Sequence, residues 1–277
     1  MVSVQVAWAR LGDAHAGLLA LLDPVERGRH DETVPPADRA RFLVGCALSR
    51  LLLGELLDLP PARVPLRRVC PRCGGPHGKV RLDMPDAAAR YDFSVTHSGA
   101  VIGVAVSPDA AVGLDVEDVE APLDVEGAAR TALSEAELAA LHALSPAERR
   151  PAFLRVWTRK EAVLKALGVG LRMPLRGLEV SSAAAPPAVL VWPPPSAVPP
   201  ASHPADPRMA DLRPSDLRMA DLLVDGVHPA TVAAVPTAAA GATPVRGAGP
   251  RGTVSGPGGA VRVVLRDGSA LLAVHGR

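Results

Sequence analysis

The sequence has little of four things: excess charge of one sign, cysteine, lysine and long apolar runs. Its 30 basic and 29 acidic side chains nearly cancel, which disfavours nucleic-acid binding through a general electrostatic field. Three cysteines are too few, and odd in number, for a disulfide-stapled secreted scaffold. No apolar run reaches the roughly 18 residues of a membrane span, and no basic stretch precedes an apolar run at the N-terminus. We therefore expect a cytoplasmic, globular protein that binds neither nucleic acid nor membrane.

Lysine is scarce, because only Lys79, Lys160 and Lys165 occur among the 30 basic residues. In a chain that uses arginine almost everywhere, a lysine is a mild indication of a site that needs a compact ammonium. Two of the three fall within residues 157–165.

The pattern of apolar residues and of helix and turn signals predicts several elements. We expect a helix from Asp38, as N-cap, to about Leu59, since apolar residues recur there at helical spacing and a Pro-Pro pair follows. A second helix should break at Pro151 and then run to Leu167. Capping boxes at Ser134 and Ser145 mark two helix starts. Three short runs separated by turns predict an antiparallel meander, namely Tyr91–Val95, Val101–Val106 and Val112–Val116.

Two carboxylates stand two residues apart in the run Gly113-Leu114-Asp115-Val116-Glu117. On a strand, Asp115 and Glu117 project from the same face, where they repel each other unless a cation or proton intervenes. A magnesium ion uses one or two carboxylates together with phosphate oxygens and water. An outward-facing polar edge explains the same pattern, so the motif alone leaves both readings open.

A second motif, Trp157-Thr158-Arg159-Lys160-Glu161-Ala162-Val163-Leu164-Lys165, lies on the predicted helix. Glu161 and Lys165 are one turn apart and share a face. A surface salt bridge is the ordinary use of this spacing. The apolar neighbours instead favour a helix held firmly against a core, which suits a site that needs accurate placement.

Two loops add possible ligand groups. Phe93-Ser94-Val95-Thr96-His97-Ser98-Gly99 ends a strand in hydroxyls, a histidine and a glycine, which can donate to an anion. A glycine loop ends in Lys79, and glycine lets the backbone approach phosphate closely. The Cys70, Cys73 and His77 cluster is either part of a zinc site that lacks a fourth ligand or a turn-forming loop.

The three motifs together resemble the Sfp-type 4'-phosphopantetheinyl transferases. The matching residues are SVTHSG at 94–99, GLDVE at 113–117 and WTRKEAVLKALGVG at 157–170, in the family's order and spacing. The resemblance covers roughly residues 20–182, together with 222–235. It implies an α+β fold of two similar halves related by a pseudo-twofold, with a cleft between them, in one monomeric chain.

On this resemblance, the N-terminal half spans residues 1–116 and the C-terminal half residues 117–235. The second half contains a proline-rich insertion at about 183–215. Residues 236–277 have no counterpart in the family and form a low-complexity tail, in which Asp267-Gly268 predicts a hairpin turn.

The resemblance also implies an activity: Mg2+-dependent transfer of the phosphopantetheine arm of coenzyme A to a serine of an apo acyl or peptidyl carrier protein, releasing 3',5'-ADP. Asp115, Glu117 and Glu161 would bind Mg2+. Glu161 would also be the general base, and Lys165 would stabilise charge on the pyrophosphate.

The remaining implied residues serve coenzyme A. His97, with Thr96, would contact the nucleotide phosphates, and Lys79 would lie along the cleft. Arg41 would serve the 3'-phosphate, with Arg27 and Arg29 as looser candidates. The family often has proline after the lysine that matches Lys79, whereas Val80 follows here.

Two rival functions stay open from the sequence. A non-catalytic zinc-loop module that docks acidic proteins through its arginines would need zinc and would not need Glu161. A degenerate transferase would bind coenzyme A without turning it over.

Overall fold

The computed structural model describes residues 1–68, 74–75, 78–84, 91–170, 173–192, 212–237, 252–255 and 261–275. Within them the chain is a mixed α+β protein, which confirms the α+β part of the predicted fold. The helices are α1 (Pro24–Glu32), α2 (Pro36–Leu57), α3 (Val125–Ala132), α4 (Glu135–His142), α5 (Pro146–Leu167) and α6 (Gly268–Ala273).

Twelve strands are described. They are β1 (Val2–Arg10), β2 (Leu66–Arg68), β3 (Val80–Leu82), β4 (Asp92–Ser98), β5 (Val101–Ser107), β6 (Ala110–Val116), β7 (Glu179–Val180), β8 (Val189–Val191), β9 (Arg218–Val224), β10 (His228–Pro236), β11 (Gly252–Ser255) and β12 (Val261–Asp267). No helix among the described ranges is long and apolar enough to cross a membrane.

The N-terminal sheet has the strand order β11-β12-β1-β5-β4. Helix α2 packs against it and buries Leu48, Leu52 and Leu53 completely or almost completely. Burial of large aliphatic side chains contributes roughly 1.5–3 kcal/mol each. This helix therefore fixes the position of β4 and β5, which carry the THSG turn between them.

The second sheet has the order β6-β10-β9, with both neighbouring pairs antiparallel. Helix α5 packs against it, and Phe153, Val163 and Leu164 are buried in the shared core. Helices α2 and α5 both have 22 residues. Each of the two main sheets is thus backed by one long helix.

The predicted three-strand meander is wrong in its last strand. Strands β4 and β5 pair antiparallel, but β6 pairs with β10 in the other sheet. Strand β5 lies between β1 and β4 and has no free edge. The third strand therefore cannot join it, and it forms the edge of the second sheet instead.

The predicted helix break at Pro151 is also wrong, because α5 runs continuously through it. A proline near the start of a helix removes one intrahelical hydrogen bond. Burial of the face from Phe153 to Ala166 outweighs this loss. Both predicted capping boxes, at Ser134 and Ser145, are present, and Gly168 ends α5 with φ 68°. The predicted N-cap at Asp38 is displaced, since α2 begins at Pro36.

The predicted hairpin over Asp267-Gly268 is wrong as well. Asp267 instead caps helix α6, and its side chain accepts a hydrogen bond from the Ala270 N–H at 2.9 Å. The preceding strand β12 lies parallel to β1. The segment assigned to a tail therefore completes the N-terminal sheet. The Pro-rich residues 193–211 lie outside the described residues.

Candidate active site

The candidate site lies where one face of β4 meets the open edge of β6. The two strands belong to different sheets, and side chains rather than backbone pairing join them. Alternate residues of β4 share a face, and three of them accept hydrogen bonds from backbone N–H groups at or after β6. These bonds are Val112 to Asp92 (2.9 Å), Leu114 to Ser94 (3.0 Å) and Asp118 to Ser98 (3.0 Å).

Two lysines satisfy carbonyl groups along the same edge. Lys79 donates to the Val112 carbonyl at 3.2 Å, and Lys165 donates to the Leu114 carbonyl at 3.0 Å. Buried backbone groups need such partners, because an unpaired one costs about 1–3 kcal/mol. We call this side-chain-bonded contact of β4 with residues 112–118 the polar seam.

Asp115 is the most enclosed carboxylate of the seam, with 5% of the residue exposed. Its Oδ1 accepts from the Lys165 ammonium at 2.7 Å and from the Thr96 hydroxyl at 3.3 Å. Burial raises the pKa of Asp115, and the Lys165 ammonium opposes that shift. Its buried Oδ2 has no hydrogen-bond partner within the described residues.

Glu117 follows directly after β6 and faces the seam, as the alternation predicted. The Ser98 hydroxyl donates to its Oε2 at 3.0 Å, and the Trp157 indole N–H donates to the same carboxylate group. Burial, and next the charge of Asp115, raise the pKa of Glu117. Two uncharged donors, the Ser98 hydroxyl and the Trp157 indole, therefore bind the Glu117 carboxylate, which lies close to the Asp115 carboxylate.

Glu161 extends from α5 toward the same carboxylates. Its pKa is raised to about 7, chiefly by burial and next by the charge of Asp115; Lys165 opposes the shift and Glu117 adds to it. Its Oε1 is buried and has no partner in the described part of the chain. Orphaned buried polar atoms are uncommon in native structures and point to a missing ligand, water or ion.

Three carboxylates thus influence one another around a single ammonium. The donor set, hard carboxylate oxygens of which two are orphaned, fits Mg2+ or a similar cation. Across the described ranges, however, no group of three or more His, Cys, Asp and Glu side chains is already arranged to hold an ion. The predicted ligands Asp115, Glu117 and Glu161 thus lie near one another and carry the oxygen atoms that Mg2+ prefers, but they do not form a preassembled coordination shell.

The two lysines of the α5 motif differ in their surroundings. Lys165 spans the seam, donating also to the Thr96 hydroxyl at 3.2 Å. Lys160 is fully buried, and its ammonium binds Glu137 at 2.5 Å and the carbonyls of Ala132 and Leu175 at 2.8 and 2.9 Å. Lys165 lies within the site with 29% of its side chain exposed, whereas Lys160 joins α5 to its neighbours.

The THSG segment divides between the two faces of β4. Thr96 is 3% exposed and bonded within the seam, so it positions Lys165 and Asp115 instead of presenting a free hydroxyl. His97 lies on the other face and is exposed. The protein around the imidazole still removes part of its hydration, which lowers the pKa of His97, and the cations Arg41 and Lys165 lower it further. Arg41 donates to the Gly99 carbonyl at 3.0 Å and to Asp38 at 2.6 Å.

Lys79 does not have a free ammonium. It binds Asp92 at 2.6 Å and the carbonyls of Val112 and Lys165, both at 3.2 Å. Burial lowers the pKa of Lys79, and Asp92 opposes that shift. An ammonium has three donors, and all three are engaged here, as they are in Lys165. The role of Lys79 along the coenzyme A cleft stays a prediction.

The looser candidates lie elsewhere. Arg27 is exposed and donates to the Leu19 carbonyl at 3.0 Å. Burial lowers the pKa of Arg68, and the nearby Arg29 cation lowers the pKa of Arg68 further. Cys70, Cys73 and His77 lie outside the described residues, so the zinc and turn alternatives are untested.

Sequence reasoning missed three residues of the seam. These are Asp92, Ser98 and Trp157, to which the sequence motifs assign no separate role. Polar residues at 92, 94, 96 and 98 follow the strand period of two, and this alternation was the available signal. Nothing in the local sequence indicated that Trp157 would reach Glu117.

Comparison with known proteins agrees with the site. The family model described as the 4'-phosphopantetheinyl transferase superfamily matches residues 111–201, a segment that holds Asp115, Glu117, Glu161 and Lys165. The 4'-phosphopantetheinyl transferase HetI of Nostoc sp. is 30% identical over 173 residues, which is 62% of this chain and 70% of that protein.

Two further relatives match over shorter shares. The putative 4'-phosphopantetheinyl transferase slr0495 of Synechocystis sp. is 30% identical over 155 residues, 56% of this chain and 60% of the relative. The 4'-phosphopantetheinyl transferase AcpT of Salmonella typhimurium is 35% identical over 130 residues, covering 47% of this chain and 59% of AcpT. The alignments thus reach under two thirds of the length of both proteins.

The fold is α+β, with a carboxylate cluster beside Lys165 where two sheets meet, and these three relatives are named as transferases. The chain belongs to the 4'-phosphopantetheinyl transferase superfamily, as the HetI alignment and the matched segment show. The 4'-phosphopantetheinyl transferase assignment predicted from the three motifs is confirmed, and the Sfp type stays a prediction.

Proposed function

We propose that this protein transfers the 4'-phosphopantetheine arm of coenzyme A to a serine of an apo acyl or peptidyl carrier protein, in a Mg2+-dependent reaction that releases 3',5'-ADP. The observation that carries the proposal is the cluster of Asp115, Glu117 and Glu161 around Lys165, inside the segment that matches the family. Its charges suit a pyrophosphate bound through a divalent cation.

Asp115, Glu117 and Glu161 are the residues that would hold Mg2+. The orphaned oxygens of Asp115 and Glu161 support this assignment, because each lacks a partner inside the described protein. When bound, Mg2+ would supply positive charge to the pyrophosphate oxygens of coenzyme A. It would also lower the pKa values of the carboxylates that share it.

Glu161 is the proposed general base. Without the charge of a cation, burial and the neighbouring carboxylates raise its pKa to about 7. The shared cation would lower that pKa and keep the carboxylate ionised, so that it can accept a proton. The carrier serine Oγ would form a bond to the β-phosphorus, and the bond from that phosphorus to the bridging oxygen would break. The serine proton would pass to Glu161, and 3',5'-ADP would leave with the bonding electron pair.

Lys165 is the proposed stabiliser of the charge that develops on the leaving group. Its ammonium is fixed by Asp115, Thr96 and the Leu114 carbonyl, so it needs little reorganisation during reaction. Preorganised charges of this kind are worth about 10²–10³-fold in rate.

His97 and Arg41 are the proposed contacts for the coenzyme A phosphates, with Thr96 acting from within the seam. The exposure of His97 next to the Arg41 cation supports this assignment. We further propose that the two sheet-and-helix units are the two pseudo-twofold halves, with β6 in the second unit and β11 and β12 in the first. The units differ by these strands from the predicted boundaries at about 1–116 and 117–235. Such a protein would act as a monomer in the cytoplasm.

Intact-mass spectrometry tests the function. Apo carrier proteins from fatty-acid, polyketide and nonribosomal-peptide systems are incubated with the protein, coenzyme A and Mg2+, and with EDTA as the control. We expect at least one carrier to gain the mass of phosphopantetheine, and the gain to vanish with EDTA. Coenzyme A binding without transfer to any carrier would contradict the proposal and indicate a degenerate transferase.

A further inference from the structure

Lys79 and Asp92 form an ion pair at one end of the polar seam. Both side chains are 16% exposed, and their 2.6 Å contact is largely enclosed. The carboxylate oxygen of Asp92 that binds Lys79 also accepts from the Val112 N–H at 2.9 Å. The pair therefore binds β6 through both the N–H and the carbonyl of Val112.

The same ammonium reaches the end of α5. Lys79 donates at 3.2 Å to the carbonyl of Lys165, which lies in the last turn of the helix. This carbonyl also accepts from the Gly168 N–H at 3.2 Å, and cations stabilise this end of the helix dipole. One side chain thus joins β4, β6 and α5.

The junction of β6 and α5 is also unusually close at Gly113. A Cβ atom at this position would lie 1.9 Å from the Ala162 carbonyl oxygen and 2.5 Å from the Ala166 nitrogen. Gly113 lets the two backbones touch, but it does not bind them. The hydrogen bonds from Lys79 to Val112 and Lys165 supply directional contacts on either side of that approach.

We propose that Lys79 and Asp92 are a positioning pair, which locks the end of α5 against β6 and so holds Lys165 and Glu161 in place beside Asp115. This inference rests on the proposed function for its kinetic consequence. It gives Lys79 a role other than that of a coenzyme A ligand. Loss of the pair would leave the charged groups present but displaced, and small displacements of catalytic groups cost up to about 10²-fold in rate.

The test compares Lys79→Met, Asp92→Asn and the double variant with the wild type, in transfer kinetics and in hydrogen exchange of peptides covering 110–117 and 160–170. Arg81→Met is the charge control, since Arg81 is exposed and lies near Gly168 at the end of the same helix.

We expect Lys79→Met and Asp92→Asn each to lower kcat about 10- to 100-fold with little change in KM for coenzyme A. The double variant should be no worse than the poorer single variant, because the two residues act as one unit. Exchange of both peptides should accelerate in all three variants, and Arg81→Met should change neither readout.

Two results would overturn the inference. A rise in KM for coenzyme A on Lys79→Met, with kcat unchanged and Asp92→Asn silent, would make Lys79 a substrate ligand. A lower melting temperature with wild-type kcat and unchanged local exchange would make the pair merely structural. If the wild type transfers nothing, the proposed function fails, and the exchange measurements still decide whether the pair locks α5 to β6.

Discussion

Glu161→Gln makes the sharpest prediction, because the structure encloses this carboxyl without neutralising it. The pKa of Glu161 rises from 4.5 to about 7 through burial and the neighbouring Asp115. Each pKa unit corresponds to about 1.4 kcal/mol, so ionising the carboxyl costs the folded state at most about 3 kcal/mol. Partial contact with solvent reduces the expected cost to about 1–2 kcal/mol.

The sign of this effect depends on pH. The folded-state pKa lies above the unfolded value, so the cost is absent below pH 4.5 and fully present above about pH 7. A glutamine keeps the shape of the side chain and carries no charge. In EDTA at pH 8, Glu161→Gln should therefore raise the melting temperature by about 2–8 °C, and at pH 4.5 the gain should disappear.

Differential scanning fluorimetry measures the effect, with Glu120→Gln as the control because Glu120 is exposed. Adding Mg2+ and coenzyme A at pH 8 should stabilise the wild type more than Glu161→Gln. A Glu161→Gln protein that is less stable than the wild type at pH 8, or a gain of equal size at both pH values, would refute the reasoning.

Three further predictions concern how the site is built. Gly113→Ala should prevent normal folding, since its Cβ would lie 1.9 Å from the Ala162 carbonyl oxygen, whereas Gly12→Ala, with open space around it, should leave soluble yield unchanged. Lys165→Met should lose activity and lower the unfolding free energy by about 1–3 kcal/mol at pH 8, with a smaller loss as the pH falls, because burial raises the pKa of Asp115; equal denaturant midpoints for variant and wild type at pH 8 would contradict this. Deleting residues 252–277 should leave the β1 edge unpaired and remove Leu272 from the core, so light scattering should show aggregation, and a monomeric protein of unchanged melting temperature would contradict the prediction.

The residues of the site could be predicted from the sequence wherever the signal was local. Alternation placed Asp115 and Glu117 on one face, and helical spacing placed Glu161 and Lys165 on one side of α5. The capping boxes and Gly168 fixed helix ends, because such signals act within a few residues.

The assembly of the seam could not be predicted, because it depends on partners far away in the sequence. Strand β6 does not pair with β5, because β1 and β4 already occupy both edges of β5. Asp267 caps α6 at the end of β12, a strand that pairs with β1 from the opposite end of the sequence. The three acceptors of Lys79 come from residues 92, 112 and 165, and no local pattern connects them.

The central claim is that this carboxylate cluster transfers phosphopantetheine to a carrier serine. The most direct measurement is the intact mass, followed by fragmentation to locate the modified serine, of one apo carrier treated with wild type, Glu161→Gln or Glu120→Gln, each with coenzyme A and Mg2+. We expect wild type and Glu120→Gln to modify the carrier serine. Glu161→Gln should modify it at a rate at least about 10²-fold lower. Modification by Glu161→Gln at the wild-type rate would contradict the central claim.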